Sequence, residues 1–491
     1  MPNTLAYLML MIWPLVCLIL FRRLSLERAM IWSIVGGYLI LPPLAKFDLP
    51  LVPEMDKFSI PNISAFVICV FVLQKKVAFW PQSAIARILT ALFVLSVIPT
   101  VATNNDPLLF RVLPNSVSIP FIVGQLPALT ARDLFSMLIG QIIVLLPFLM
   151  ARQYLSTPAG LRDLVLALAI GGLVYAIPAL IEIRLSPQIN IWVYGFFQHS
   201  FTQMMRDGGF RPIVFLPHAL WLALFLVMAL VCAATLARTA TGKSRTRWSM
   251  TTGFLAVVLL LSKSLASLAY GLVFTPAILL LSRKMLIRLS MLLALIAMSY
   301  PMLRNADVIP LERILEQARA IDPKREQSLA YRFDNENRLL ERADEKPLFG
   351  WGGWGRNLLH NPESGKIETI PDGRWIIVFG SSGWVGYIAE MGMLAFPLLL
   401  LGWRMRTLPN ARISPFVAPI AVILAATMAD MLLNATLIPI TWMCAGAILG
   451  YAERLKQPRQ HAGSEPAYGD GPVIGRAGDP NGPEQGQRPL M

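Results

Sequence analysis

The side chains in this sequence that could do chemistry fall in four short stretches, and most of them are cationic. In RDGGFRPIVFLPHALW, Arg206 and Arg211 stand just before an apolar run. Gly208, Gly209 and Pro212 impose a turn there, and His218 lies one helical turn inside the run. In SKSLAS, Lys263 sits where two apolar segments without other charge meet. In SLAYRFDNENRLLERADEKPLFGWGGWGRN, Arg332 and Arg338 precede a glycine-rich turn that carries Trp351 and Trp354. The fourth stretch, PDGRWIIVFGSSGWVGYIAEMG, places Asp372, Arg374 and Trp375 at the mouth of another apolar run. Guanidinium groups match phosphate oxygens in geometry. A lone carboxylate among them can take a proton as general base. The set therefore suits an anionic ligand and a deprotonation.

Each stretch also has a plainer reading. Arginines beside an apolar run snorkel to lipid phosphates, and a lysine at a tight turn faces water. An ionisable residue at the end of membrane helices is nonetheless a functional candidate by default. Indoles on a glycine loop serve equally for anchoring at a membrane surface or for stacking on sugar rings. Asp430 and Asn434, one helical turn apart, read as groups that cap or join helices. Convergence favours chemistry, because all four stretches fall at the same side once the spans are drawn.

The elements that must position these residues follow from composition. The chain has 491 residues, is 55% hydrophobic and only 15% charged. Its apolar runs are uniformly apolar rather than amphipathic, and their length suits a helix crossing about 30 Å of hydrocarbon. The fold class expected is an all-α polytopic integral membrane protein. The opening run, TLAYLMLMIWPLVCLILF, lacks a preceding basic residue and a small-residue cleavage site, so it reads as a retained span. The net charge of +14 is spread over short basic turns between spans, which is an orientation signal and not a nucleic-acid footprint. Cys17, Cys69, Cys232 and Cys444 lie far apart inside apolar runs, with no disulfide framework or metal-ligand spacing. No Walker loop, HExxH or GxSxG occurs, and neither metal nor cofactor is expected.

Placing the basic turns (22–28, 74–76, 152–163, 238–248, 283–288, 404–412 and 453–459) in the cytoplasm sets the topology. It gives spans near 4–21, 29–44, 61–73, 84–103, 133–150, 164–183, 217–237, 249–262, 264–282, 289–303, 381–403, 413–429 and 435–452. That is about 13 spans (12–14), with the N-terminus outside and the C-terminus inside. Residues 1–163 hold the first spans and 164–303 the central ones with the Arg-containing outer loop. Residues 304–380 form one long outer loop, 381–456 the last spans, and 457–491 a tail whose composition predicts disorder. Outer loops 104–131 and 184–216 complete the outer face. Within the long loop, LERILEQARAID has the spacing of an amphipathic surface helix.

Taken in order, RDGGFRPIVFLPH, LSKSLAS, YRFDNENRLLERADEKPLFGWGGWG and DGRWIIVFGSSGWVGYIAEMG resemble the O-antigen ligase and Wzy-type polymerase superfamily. The resemblance covers about 170–450. It implies a GT-C-like, metal-independent glycosyltransferase of the bacterial inner membrane with its active face in the periplasm. The implied donor is a glycan on undecaprenyl pyrophosphate, and the partner is an acceptor glycan, with a chain-length regulator or flippase as possible associates. By the same resemblance Arg211, Lys263 and Arg332 would bind pyrophosphate, and Asp372 would be the base. Arg206, His218, Arg338, Trp351, Trp354, Arg374 and Trp375 are secondary candidates. Lys263 replaces a family arginine, keeping charge without the bidentate fork. Asp372-Gly373-Arg374-Trp375-Ile376 stands where ligases carry His-Asn-x-Tyr-Leu, which favours a polymerase-like enzyme; His360-Asn361 reads as a coincidental match. A ligase acting on lipid A core, a flippase for the same lipid-linked sugar and a structural export subunit are the alternatives. A flippase would show broken helices and internal repeats, and the sequence shows no repeat.

Overall fold

The computed structural model describes residues 1–112, 121–206, 208–306 and 308–455. The tail 457–491, read as disordered from composition, and part of the 104–131 loop lie outside the described residues. The structure is about 69% helical, and among the described residues there is no closed sheet.

Helices run in chain order as α1 (Thr4–Arg23), α2 (Leu26–Ile40), α3 (Ser59–Val67), α4 (Ala84–Leu95), α5 (Val97–Ala102), α6 (Ala131–Tyr154), α7 (Pro158–Leu185) and α8 (Ile189–Tyr194). They continue as α9 (Ala219–Thr239), α10 (Gly242–Leu261), α11 (Leu265–Leu280), α12 (Arg283–Asn305), α13 (Leu311–Ile321), α14 (Pro323–Asp344), α15 (Arg374–Arg404), α16 (Val417–Asp430) and α17 (Pro439–Arg454). Every apolar run marked in the sequence forms helix. Among the described residues seven helical stretches, α4 with α5 taken as one, are long and apolar enough to cross a membrane, as in a multi-pass membrane protein. Residues 1–456 pack as one unit. Helix α9 is almost wholly buried by its neighbours. One of its ends is therefore held firmly beside the candidate site.

Three features differ from the sequence reading. Two small antiparallel hairpins, Leu108–Val112 with Phe121–Leu126 and Met205–Arg206 with Gly209–Phe210, lie within segments read as loops. The 304–380 segment, read as one long loop, is mostly helical, and α14 carries both Arg332 and Arg338. Most consequentially, α15 begins at Arg374 and not at 381, so Arg374 and Trp375 belong to a helix and Asp372 stands just ahead of its N-cap, Gly373.

That helix is broken at Gly383, whose φ of 61° and ψ of −166° are non-helical. The chain itself fills the break. Trp384 N donates to Pro347 O at 2.7 Å and Val385 N to Leu348 O at 3.2 Å, while Trp351 N donates to Gly380 O at 2.9 Å. A Cβ on Gly383 would lie 2.4 Å from the Leu348 carbonyl, and one on Gly350 2.5 Å from the Ser382 nitrogen. Gly383 and Gly350 thus allow the PLFGWGG segment to dock on α15.

Candidate functional site

A cavity of about 620 Å³ opens among the ends of these elements. It gathers Arg206, Arg211, His218, Arg332 and Asp372 from three of the four stretches, with Asn434 and Thr436 from the α16–α17 connection. From Arg206 to Thr436 these groups span more than two hundred residues of sequence, so only packing brings them together.

Arg211 is built in by the 211–218 loop. This loop is buried and its backbone groups have bespoke partners. Glu182, at the end of α7, accepts from Ile213 N at 2.7 Å and Val214 N at 2.8 Å. Tyr175 Oη accepts from Phe215 N, Lys57 Nζ donates to Phe215 O at 2.7 Å, and Gln198 Nε2 donates to Val214 O at 2.7 Å. A loop so fastened cannot withdraw its arginine to water. Arg211 is 5% exposed, and its Nε and Nη2 are buried without a hydrogen-bond partner among the described residues. Burial, then the charges of Arg206 and Arg332, pushes its pKa down to about 10. A buried donor left unpaired is costly. The protein carries that cost at the wall of a cavity.

Arg332 faces the same space from α14. Its Nε lies 3.1 Å from Asp372 Oδ2, both side chains being partly exposed, and Nη1 donates to Leu433 O at 3.4 Å. The carbonyl of Leu433 is presented by a chain reversal that Asp430 organises. Asp430 accepts from Asn434 Nδ2 at 3.1 Å and Thr436 Oγ1 at 2.7 Å. Asp430 and Asn434 do join helices, as read from their spacing, and Asn434 also lines the cavity. His218 caps α9, its Nδ1 accepting from Leu220 N at 3.0 Å. Its other nitrogen therefore carries the proton of the neutral ring, and the ring packs edge-on against His199.

Behind the pair is Glu336, which spacing alone did not mark. It is one turn beyond Arg332 on α14, 2% exposed, with Oε1 3.4 Å from Trp375 Nε1 and Oε2 unpartnered among the described residues. Burial raises its carboxyl from 4.5 to about 7; Trp375, Arg304 and Arg332 oppose the rise and Asp372 adds to it. Between these two values the folded protein holds more protons than the unfolded chain, so stability falls as pH rises through that window and stays reduced above it. We expect Glu336→Gln to stabilise the protein at pH 8, by about 3 kcal/mol at most, and to change little at pH 4.5. Thermal melts at both pH values check this. An equal shift at both would show that the carboxyl's ionisation is irrelevant.

The other sequence candidates lie elsewhere. Lys263 does not line the cavity; its Nζ donates to Arg206 O at 2.8 Å and so braces the hairpin that carries Arg206. Arg338 pairs with Glu368 at 2.8 Å on the surface. Trp351 is buried under Arg342, whose guanidinium carbon is 3.4 Å from the ring centroid, and donates to Arg342 O. Trp354 is exposed but donates to Asp133 Oδ1 at 3.0 Å, at the start of α6. Arg374 makes a two-point pair with the buried Glu390, at 2.7 and 2.6 Å, and Trp375 is fully buried against Tyr300. Trp354 thus ties the 304–380 segment to α6, and Trp375 packs the start of α15 on α12. His360 stacks on Phe110, away from the cavity.

Glu182, Lys57, Gln198 and Glu336 escaped the sequence reading. Glu182, Lys57 and Gln198 are polar residues outside the four stretches, and Glu336 lies inside α14 among other charged and polar residues that hide it. The one available signal was a carboxylate or ammonium inside an otherwise apolar run, which Glu182 satisfies. Neither a protein-family model nor a curated protein matches this sequence.

Proposed function

We propose that the protein is a membrane glycosyltransferase that works at the periplasmic face on a glycan linked to undecaprenyl pyrophosphate, joining repeat units into a surface polysaccharide. The observation that carries this reading is Arg211: a buried guanidinium with unfilled donors, in a cavity shared with the Arg332–Asp372 pair. In the proposed reaction an acceptor hydroxyl oxygen attacks the anomeric carbon and the bond to the pyrophosphate oxygen breaks with inversion. Arg211 and Arg332 take the charge that develops on the leaving oxygen. Asp372, released from Arg332 when that side chain turns to phosphate, accepts the hydroxyl proton. Lys263 acts through the Arg206 hairpin on this reading, as a positioning residue. The chain is proposed to be GT-C-like with about 13 spans, residues 304–380 outside and the C-terminus in the cytoplasm.

A ligase that passes the glycan to lipid A core would use the same groups. Deleting the gene and resolving surface glycans on gels separates the two. Loss of long chains with single repeats kept indicates a polymerase, and long chains left on the carrier indicate a ligase. Unchanged glycans would overturn both. The break at Gly383 is the kind of helix interruption that a flippase would use. Here the chain's own 347–352 segment fills it, and it is not among the residues lining the cavity.

A further inference from the structure

The helix bundle has a second large cavity at the end opposite the candidate site. It measures about 680 Å³ and is lined by Thr235, Arg238, Thr239, Arg283, Asn410 and Ala418, among others, with no carboxylate in its walls. Helix α9 starts at the first cavity, with His218 and Leu220, and ends at this one, with Arg238 and Thr239. At 1.5 Å per residue the two lie about 30 Å apart, the thickness of a bilayer core.

Backbone carbonyls hold both arginines in place. Arg238 Nη1 donates to Leu281 O at 2.6 Å and Arg283 Nη1 to Ile413 O at 2.7 Å. Neither has an ion-pair partner among the described residues. Two guanidiniums are therefore fixed in one cavity without a counter-charge.

Leu286 lines both this cavity and another of about 250 Å³, whose walls are apolar apart from Ser290. The hydroxyl of Ser290 is spent on Leu286 O at 2.9 Å. The apolar trough follows α12 through Leu286, Leu289, Leu293 and Ile296, a helical face about 15 Å long. Val273 and Ala277 of α11 and Val422 of α16 form its other sides. An apolar trough thus lies beside the basic head region, with Val273, Leu289, Leu292 and Ile296 exposed along the helix surface.

We infer that these two neighbouring cavities together bind one anionic phospholipid, its phosphate between Arg238 and Arg283 and one acyl chain along the trough. Basic pockets between membrane helices recognise such headgroups through charge-assisted hydrogen bonds. The apolar continuation distinguishes a lipid from a free phosphate, which would have no use for it. This inference is independent of the glycosyl-transfer reading.

Native mass spectrometry of the full chain in neutral detergent, with phosphatidylglycerol and phosphatidylcholine supplied together, tests it. Phosphatidylglycerol should be retained in preference. Arg238→Gln with Arg283→Gln should lower that retention by about tenfold. Since these arginines also hold carbonyls, Thr239→Glu provides an independent arm: it adds a carboxylate at an exposed wall position and should lower retention with both arginines present. Arg238→Lys with Arg283→Lys should keep most of it. Val422→Phe, which fills the trough, should also reduce it, and millimolar glycerol phosphate should not displace the lipid. Equal retention of the two lipids, or retention unaffected by the glutamine pair and by Thr239→Glu, would overturn the site. Displacement by glycerol phosphate, or indifference to Val422→Phe, would overturn the lipid and leave an anion site.

Discussion

Replacing Arg211 with methionine is expected to make the empty protein more stable while abolishing glycan product. The two effects share one cause. In the folded chain Arg211 is 5% exposed, with Nε and Nη2 unpaired among the described residues and two like charges nearby. An unsatisfied buried polar group costs about 1–3 kcal/mol, and methionine fills similar space without that cost. On the reading proposed here, those donors meet the leaving pyrophosphate. Removing one preorganised donor from a transition-state oxyanion costs about 10²–10³ in rate, and losing a whole guanidinium should cost at least that. Melting temperature in detergent and product formed in liposomes from a lipid-linked repeat unit are the two readouts. Inorganic pyrophosphate should raise the melting temperature of the wild type and leave that of Arg211→Met unmoved. A less stable variant that still makes product would mean that Arg211 is a structural residue.

Asp372→Asn should remove product by about 10²–10⁴-fold, the usual contribution of a general base, with little change in stability. The pair it forms with Arg332 at 3.1 Å is partly exposed on both sides, and such pairs contribute about 0–1 kcal/mol. Asparagine keeps the shape and one acceptor oxygen but cannot take the proton. If the two side chains act as a unit, adding Arg332→Met to Asp372→Asn should cost much less than the product of the two single losses. Full additivity would separate their roles. Retention of more than about a tenth of the wild-type rate by Asp372→Asn would move the base elsewhere. Glu336, buried one turn along α14, would be the next group to test.

Much of the frame could be read directly. Uniformly apolar runs dictated helix at each marked segment, and the meeting of α10 and α11 at Ser262-Lys263-Ser264 followed from run length and basic turns. The start of α15 was misplaced by seven residues because Arg374 looks like a loop residue. Its charge is absorbed by Glu390, sixteen residues further on, and no local pattern shows that pairing. Trp351 and Trp354 looked equally available for a sugar or a membrane surface. One is pinned beneath Arg342 of the same stretch, and the other is tied to Asp133, 221 residues away in the chain.

By itself, the sequence determined an all-helical membrane chain and a short set of arginines and carboxylates worth testing, because hydrophobic periodicity and residue chemistry are local properties. Tertiary structure decided which of them meet. It placed Arg206, Arg211, Arg332 and Asp372 around one cavity and turned Arg374, Trp351 and Trp375 into braces. It also left Arg211 buried with unfilled donors. Whether a polar group is satisfied depends on which distant segments close over it. For Arg211 those segments are the end of α7, the loop before α3 and the chain around Gln198, and nothing in the spacing of RDGGFRP specifies them.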